Sequence, residues 1–176
     1  MGRLQETYNY ANDRFARLRD AARTVTAGYQ NAARGMDTLK EWVLIEFGMP
    51  NTADAIHRLA HLQPKRFDQV GDILHQRHLI QEYPATPEYT KRPETLDGVF
   101  EEVIAMLQYI EDGLRDCVAV CDELKLWALA REFENLQTEN SRSYEKFLYA
   151  WQMYDRFEGS ETSYDNWIVR LFEQEG

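Results

Sequence analysis

The 176-residue sequence predicts an all-α protein, a four-helix bundle with an N-terminal helical arm and a short C-terminal helix. Apolar residues recur with helical spacing over most of the chain, and the composition is rich in residues that favour helices. Hydrophobic residues make up 44% of the chain, which is enough to bury a core without disulfides or a structural metal. Four long amphipathic segments with short and medium connections are typical of a bundle.

The first element is an apolar seam in which spacings of four and three residues alternate. Its members are Leu4, Tyr8, Ala11, Phe15, Leu18, Ala22, Val25, Tyr29, Ala32, Met36, Leu39 and Val43. We expect a basic helical arm over residues 1–20 and a first bundle helix over 21–47, ended by Gly48. The seam also permits an alternative function, that of a non-enzymatic interaction protein that pairs with another chain through it.

Three further helices complete the predicted bundle domain, residues 21–157. The second is expected over 52–82 and should bend or split at Pro64, because proline lacks an N–H and clashes with the preceding turn. The third and fourth are expected over 95–121 and 125–157, and an amphipathic tail follows over 158–176. Cys117 and Cys121 lie on an apolar helix face, so reduced and buried thiols are expected.

Charge is unevenly distributed along the chain. The net charge is −10, yet the first 34 residues carry six arginines against three acids. This pattern permits contact with phosphates through the arm alone, or else is a solvated helix face. The arginines that could make such contacts, and that are assigned to a DNA-binding role, are Arg3, Arg14, Arg17, Arg19 and Arg23. The sequence has neither a signal-peptide pattern nor a membrane span, so a cytoplasmic protein without a membrane partner is expected.

All four histidines fall between residues 57 and 78. On a helical wheel, five metal-ligand types share an arc of about 60°, opposite the apolar face of the same helix. They are His57, His61, Asp68, Asp72 and His75. This outward stripe predicts either a metal site completed by a second subunit or a solvated, mixed-charge surface. A metal site inside the bundle is disfavoured, because the fourth helix offers only Gln137 and Asn140 where carboxylates are needed.

The order of these features resembles that of the Dps family. A basic arm is followed by a first helix that ends at Gly48 and by a second helix with His57 early and an acid further along. The Dps proteins are DNA-protecting miniferritins of the ferritin-like superfamily, and the similarity covers about residues 21–157. The resemblance implies a hollow dodecamer that oxidises Fe(II) with peroxide and stores ferric mineral. It also implies non-haem iron at sites between two-fold-related subunits, and association with the nucleoid.

The ligand set implied by the resemblance is incomplete. His57 and Asp72 match the family pattern, but Gln76 stands where a glutamate is expected and Ile45 stands where a histidine is expected. Glu46 stands in place of the usual tryptophan. We therefore expect either an altered iron site or a shell that has lost ferroxidase activity. The residues available to an altered site are His57, His61, Asp68, Asp72, His75, Gln76 and Glu46.

Overall fold

Four long helices and one short helix make up the part of the chain that the structure describes. The structure, a computed structural model, describes residues 15–157 and 159–172. The helices are α1 (Ala16–Trp42), α2 (Pro50–His75), α3 (Leu96–Glu123), α4 (Trp127–Tyr154) and α5 (Glu161–Phe172). A π-helical turn, Val43–Phe47, extends α1, and a 3₁₀ turn, Asp155–Phe157, follows α4. The predicted all-α bundle is confirmed, and none of the helices in the described ranges is long and apolar enough to span a membrane.

The seam of α1 faces the core of its own subunit. Its members from Leu18 to Val43 are all fully buried, and Phe15 is nearly so. The described part of the seam is therefore not available to a second chain. Leu4, Tyr8 and Ala11 lie outside the described residues, so pairing through that part of the seam stays a prediction. α1 also begins at Ala16, five residues before the predicted start, because Leu18 already packs in the core. Residues 1–14 of the predicted arm lie outside the described residues.

α2 is not split at Pro64, and it differs from its prediction at its C-terminal end. The helix is unbroken through Pro64, which is exposed, and it begins with Pro50 in the first turn, where a missing N–H costs nothing. It ends at His75 rather than near residue 82. His78 adopts a left-handed conformation (φ 57°), and the Leu79 N–H donates to the Leu74 carbonyl over 3.1 Å, which closes the helix.

The connection between α2 and α3, residues 76–95, runs back along α1. The Gln81 amide lies 3.3 Å from the Thr26 hydroxyl near one end of this path, and the Trp42 indole N–H donates to the Pro93 carbonyl over 2.8 Å at the other. α3 therefore starts at the same end of the bundle as α2. α1 packs against α2 and α3, and α4 packs against α3 and α2, so adjacent helices in this ring are antiparallel.

α5 closes the end of the bundle where α2 begins. Tyr164 is buried and donates to the Ala150 carbonyl over 2.8 Å. The buried Asp165 carboxylate accepts hydrogen bonds from the N–H groups of Asn51 and Thr52 and from the Thr52 hydroxyl. A residue of α5 thus caps the N-terminus of α2 in place of a local side chain, and this contact fixes α5 on the bundle.

Candidate metal centre

Two histidines of α2 and an aspartate of α1 meet on the surface of the bundle. Asp37, His57 and His61 each place a ligand atom within 4.8 Å of the others. We call this group the α1/α2 cluster. His57 and His61 are one turn apart and therefore lie on the same face of α2, with ring centroids 4.3 Å apart. His57 Nδ1 lies 3.0 Å from Asp37 Oδ1, so the carboxylate orients the imidazole.

The α1/α2 cluster is open to solvent. The side chains of His57 and Asp37 are 38% and 52% exposed, and His61 is exposed as well. An open depression of about 650 Å³ adjoins Asp37 and His57 and extends to Ile45, which is 71% exposed. Lys40 and Arg92 also line this depression, opposed by Asp37 and Glu41. A hydrogen bond to Glu41 raises the pKa of Lys40, which therefore stays positively charged.

The predicted stripe does point outward, but it does not converge on one site within the subunit. Asp68, Asp72, His75 and Gln76 are all exposed. Gln76 donates to both carboxylate oxygens of Glu132 on α4, over 2.8 and 2.9 Å, and Asp72 lines a groove on the same side of α2 as Glu132. Only His57 and His61 of the stripe come together, because the helix rise of 1.5 Å per residue places Asp72 about 22 Å further along the axis.

Asp37 is the residue of the cluster that the sequence prediction missed. The prediction searched the end of the first helix, where Ile45 and Glu46 stand, and both side chains are exposed there. The spacing of residues around the turn between α1 and α2 could have identified Asp37. Asp37 precedes the turn residue Gly48 by eleven positions and His57 follows it by nine. In an antiparallel helix pair, residues at similar distances from the turn lie at the same level, so Asp37 faces His57.

A layer of polar side chains crosses the interior of the bundle at mid-height. Its members are Tyr29 of α1, Gln63 and Arg66 of α2, Glu111 of α3 and Asn140 of α4. We call it the polar layer. Asn140 donates to the Leu107 carbonyl and to Glu111, each over 3.0 Å, and Gln63 donates to the Leu59 carbonyl over 2.8 Å. Burial raises the pKa of Tyr29, so its hydroxyl stays protonated.

The polar layer is unsuited to a pair of metal ions. A di-metal centre inside such a bundle uses a glutamate from each of two helices and a Glu-x-x-His motif from each of the other two. Gln63 and Arg66 have the spacing of that motif on α2, but they supply a neutral amide and a guanidinium. Glu111 is the carboxylate of the layer, and Arg66 adds a permanent positive charge to the layer, with its Nε 3.6 Å from the Glu139 carboxylate. The residues of the layer therefore do not match the ligand set of such a centre.

The described arginines of the predicted DNA-binding set are ion-paired. Arg17 pairs with Glu123, and both Arg19 and Arg23 pair with Glu82 over 3.4 Å. Arg3 and Arg14 lie outside the described residues. The three described arginines thus contact two acids within their own subunit, which reduces the positive potential that the sequence predicts for this region.

No protein-family model and no curated protein sequence matches the chain. Its structure is similar to solved structures of bacterioferritins. A mycobacterial bacterioferritin matches with a TM-score of 0.72 and 13% identity over 85% of this chain and 90% of that chain. Bacterioferritin BfrA from Mycobacterium tuberculosis matches with a TM-score of 0.72 and 12% identity over 85% of this chain and 91% of that chain. The predicted Dps subfamily remains a prediction, and the similarity establishes that the chain has the ferritin-like four-helix fold.

Proposed function

We propose that this chain is an iron-handling protein that binds Fe(II) as its cargo at the α1/α2 cluster, on the outside of the bundle. The observation that carries the proposal is the convergence of one carboxylate and two imidazoles from adjacent helices within 4.8 Å. The bacterioferritin names of the structural neighbours support iron as the metal. Imidazole and carboxylate ligands also suit iron, which is a borderline to hard metal, whereas a copper(I) site would need soft thiolate or thioether ligands.

The geometry of the cluster is close to what one metal ion needs. Two ligand atoms that bind the same ion at about 2.1 Å lie at most about 4.2 Å apart, so the 4.8 Å spread closes with a shift of about 0.6 Å. The exposed side chains of Asp37 and His61 have the freedom to make that shift. The ion would compete with the contact between His57 and Asp37, and it would use three of its ligand positions on this subunit.

The polar layer supports a metal site on the outside of the bundle, because its residues disfavour a metal ion in the interior. Arg66 is 5% exposed and permanently charged, and its guanidinium would repel a divalent ion placed in the layer. Glu111, the acid of the layer, already accepts hydrogen bonds from Gln137, Asn140 and Ser141. An ion would have to break these bonds and would gain one carboxylate, whereas the α1/α2 cluster offers three ligands at the surface.

A second copy of the chain is the source we propose for further ligands. Asp72 cannot approach His57 within one subunit, because the two residues lie about 22 Å apart along α2. A two-fold axis perpendicular to α2 would place Asp72 of one copy near His57 of the other, since symmetric contacts are reciprocal. This arrangement is the Dps-like component of the proposal, and it leads to a shell, with a dodecamer as the specific prediction.

Oxidation by peroxide is the enzymatic component of the proposal. Two Fe(II) ions would each give one electron to hydrogen peroxide, which would take up two protons and leave as two water molecules. Ferric product would then be stored within the shell. The net charge of −10 favours the approach of cations to the protein surface. A protein that sequesters Fe(II) without oxidising it would use the same α1/α2 cluster.

The test of the site is an anaerobic Fe(II) titration followed by calorimetry. His57→Ala and Asp37→Asn should each weaken Fe(II) binding about tenfold or more, because metal affinity is sensitive to every ligand and to the group that orients it. His78→Asn is the matched control, since His78 is an exposed histidine outside the cluster and the predicted stripe, and asparagine tolerates its left-handed conformation. An unchanged affinity in His57→Ala, or an equal loss in His78→Asn, would refute the site.

Two further measurements test the finer components. Light scattering of the purified chain should give a particle of about twelve subunits, and a monomer would refute the shell. Addition of peroxide to the Fe(II)-loaded protein should produce ferric absorbance near 300 nm at a rate that Asp72→Ala reduces. A rate that Asp72→Ala leaves unchanged would exclude Asp72 as a ligand from a second copy.

Association with DNA is part of the proposal only through the arginine-rich start of the sequence. Arg17, Arg19 and Arg23 would have to exchange their carboxylate partners for phosphates, so binding should be weak and should disappear with added salt. Deletion of residues 1–14, which removes Arg3 and Arg14, combined with Arg17→Gln, Arg19→Gln and Arg23→Gln, should abolish retardation of DNA in a low-salt gel. Retardation that survives these combined changes would place the DNA contact elsewhere on the chain.

A further inference from the structure

A concave pocket lined by positive charge lies between α2 and α4, on a different face of α2 from the α1/α2 cluster. Its volume is about 220 Å³, and we call it the α2/α4 pocket. The four cations that line it are Arg58, Arg66, Arg142 and Lys146, and the acid that lines it is Glu139. The lining therefore carries a net charge of 4 − 1 = +3 in a chain whose net charge is −10.

Arg66 sits at the base of this pocket and is held rigidly. It is 5% exposed, and its Nη2 donates to the Glu139 carbonyl and to the Ser143 hydroxyl, each over 3.0 Å. Its Nε lies 3.6 Å from the Glu139 carboxylate, which is a loose contact. Nη1 is buried without a hydrogen-bond partner among the described residues. A buried guanidinium with unused donor capacity is costly unless an anion or water satisfies it.

The other cations of the pocket are at its rim. Arg142 is exposed and has no ion pair with any residue in the described ranges. Arg58 pairs with Asp54 over 2.7 Å but remains more than half exposed. Guanidinium groups present several donors in a plane and suit the oxygens of a carboxylate or a phosphate. The rim can therefore contact an oxyanion directly, while the buried Arg66 adds positive potential from the base.

The rest of the wall is apolar. Leu59, Leu62 and Phe147 contribute aliphatic and aromatic surface, and Phe172 closes one side as the last described residue of α5. The rings of Phe172 and Phe147 are 5.0 Å apart, and the Lys146 ammonium lies 4.6 Å from the centre of the Phe172 ring. Leu62 is 42% exposed at the mouth of the pocket. An inorganic anion would leave this apolar surface in contact with water.

We infer that the α2/α4 pocket binds a small amphipathic organic anion, with an oxyanion head at the arginines and an apolar body against Leu59, Leu62 and Phe172. The volume of about 220 Å³ is below that of sites for drug-sized ligands, so the ligand is a short-chain or single-ring molecule. The pocket is too small and too concave for duplex DNA. This function is separate from iron binding and does not depend on it.

The test compares four probes by calorimetry and ligand-observed NMR on the full chain. Hexanoate carries both halves of the proposed ligand, acetate lacks the apolar body, and hexanamide lacks the charge. Hexanoate should bind with a Kd of about a millimolar and at least about fivefold more tightly than acetate or hexanamide. Pentylphosphonate keeps the five-carbon chain of hexanoate and replaces only the head group, so its affinity relative to hexanoate identifies which oxyanion the pocket prefers. Equal binding of acetate, or binding of no probe, would overturn the inference.

Substitutions then locate the bound probe. Arg142→Gln should weaken hexanoate binding about fivefold, because it removes one solvent-exposed charged contact. Raised salt should also weaken hexanoate binding, because it screens the charges. Arg131→Gln is the matched control, because Arg131 is an exposed arginine of α4 outside the pocket. Phe172→Ala should weaken hexanoate but leave acetate unaffected. Equal losses in the Arg142 and Arg131 variants would show a non-specific surface effect and overturn the inference.

A shortened chain tests whether the C-terminal segment, residues 173–176, occupies the pocket instead of a ligand. Residues 173–176 follow the pocket directly in the sequence and include Glu173 and Glu175. A chain ending at Phe172 keeps every residue named for the pocket and should bind hexanoate as the full chain does. Binding that occurs only in the shortened chain would identify the chain's own acidic end as the occupant, and the inference would be wrong.

Discussion

Removal of the Asp165 carboxylate should loosen α5 and destabilise the start of α2 together. Asp165 is 5% exposed and accepts three hydrogen bonds, from Thr52 N–H over 2.7 Å, from the Thr52 hydroxyl over 2.8 Å and from Asn51 N–H over 3.2 Å. Thr52 is completely buried, so water cannot replace the lost acceptor. Asp165→Ala therefore leaves two buried donors unsatisfied.

The magnitude follows from these contacts. Leaving a buried donor unsatisfied costs about 1–3 kcal/mol, and loss of an N-cap costs about 1 kcal/mol, so Asp165→Ala should reduce the free energy of unfolding by about 3 kcal/mol. For a chain of this length that corresponds to a fall in Tm of about 6–12 °C. Asp165→Asn keeps one acceptor oxygen but loses the charge that favours a helix N-terminus, and it should cost about 1–2 kcal/mol.

Urea denaturation followed by far-UV circular dichroism measures both variants. Glu161→Gln is the matched control, because it removes a negative charge from an exposed position in the first turn of the same helix and should change stability by less than about 0.5 kcal/mol. A loss below about 1 kcal/mol in Asp165→Ala would refute the assignment of Asp165 as the cap of α2. So would an equal loss in Glu161→Gln.

Three further outcomes can be checked on the isolated chain. Gly28→Val should destabilise the bundle by about 1–3 kcal/mol in urea, because even a Cβ at this position would lie 2.9 Å from a side-chain carbon of Ile110, and an unchanged midpoint would contradict this close packing of α1 on α3. Cys117 and Cys121 should react with a thiol reagent at pH 8 only after unfolding, since burial raises the pKa of both thiols, that of Cys121 to about 11; fast reaction of the native chain would contradict their burial. Stability should fall as the pH rises from about 9 towards 11, because the unfolded chain then releases thiol protons that the folded chain retains, and a stability curve that is flat over this range would refute the shift.

The buried Arg66 affects both of the proposed binding sites. Di-metal centres inside such bundles use carboxylates and histidines, whereas Gln63 and the permanently charged Arg66 are buried inside this bundle. The same arginine lines the α2/α4 pocket, where the proposed anion would bind. The charge of Arg66 thus disfavours a cation in the bundle interior and favours an anion in the α2/α4 pocket.

The sequence by itself determined the helical architecture and the orientation of the histidine stripe. The 3.6-residue period fixes which residues share a face, so the burial from Leu18 to Val43 and the exposure of His57, His61 and Asp72 could be predicted without coordinates. The end of α2 was missed, because the left-handed conformation of His78 and the burial of Leu79 depend on packing beyond the helix.

Only the tertiary structure decided which groups meet. Asp37 joins His57 because the hairpin brings α1 and α2 to the same level, and Gln76 contacts Glu132 because α2 and α4 are neighbours in the ring. Arg58, Arg66 and Arg142 line one pocket for the same reason, although nothing in their sequence positions links α2 to α4. A helical period specifies direction around one axis, whereas a site needs distances between axes, and those are set by how the helices pack.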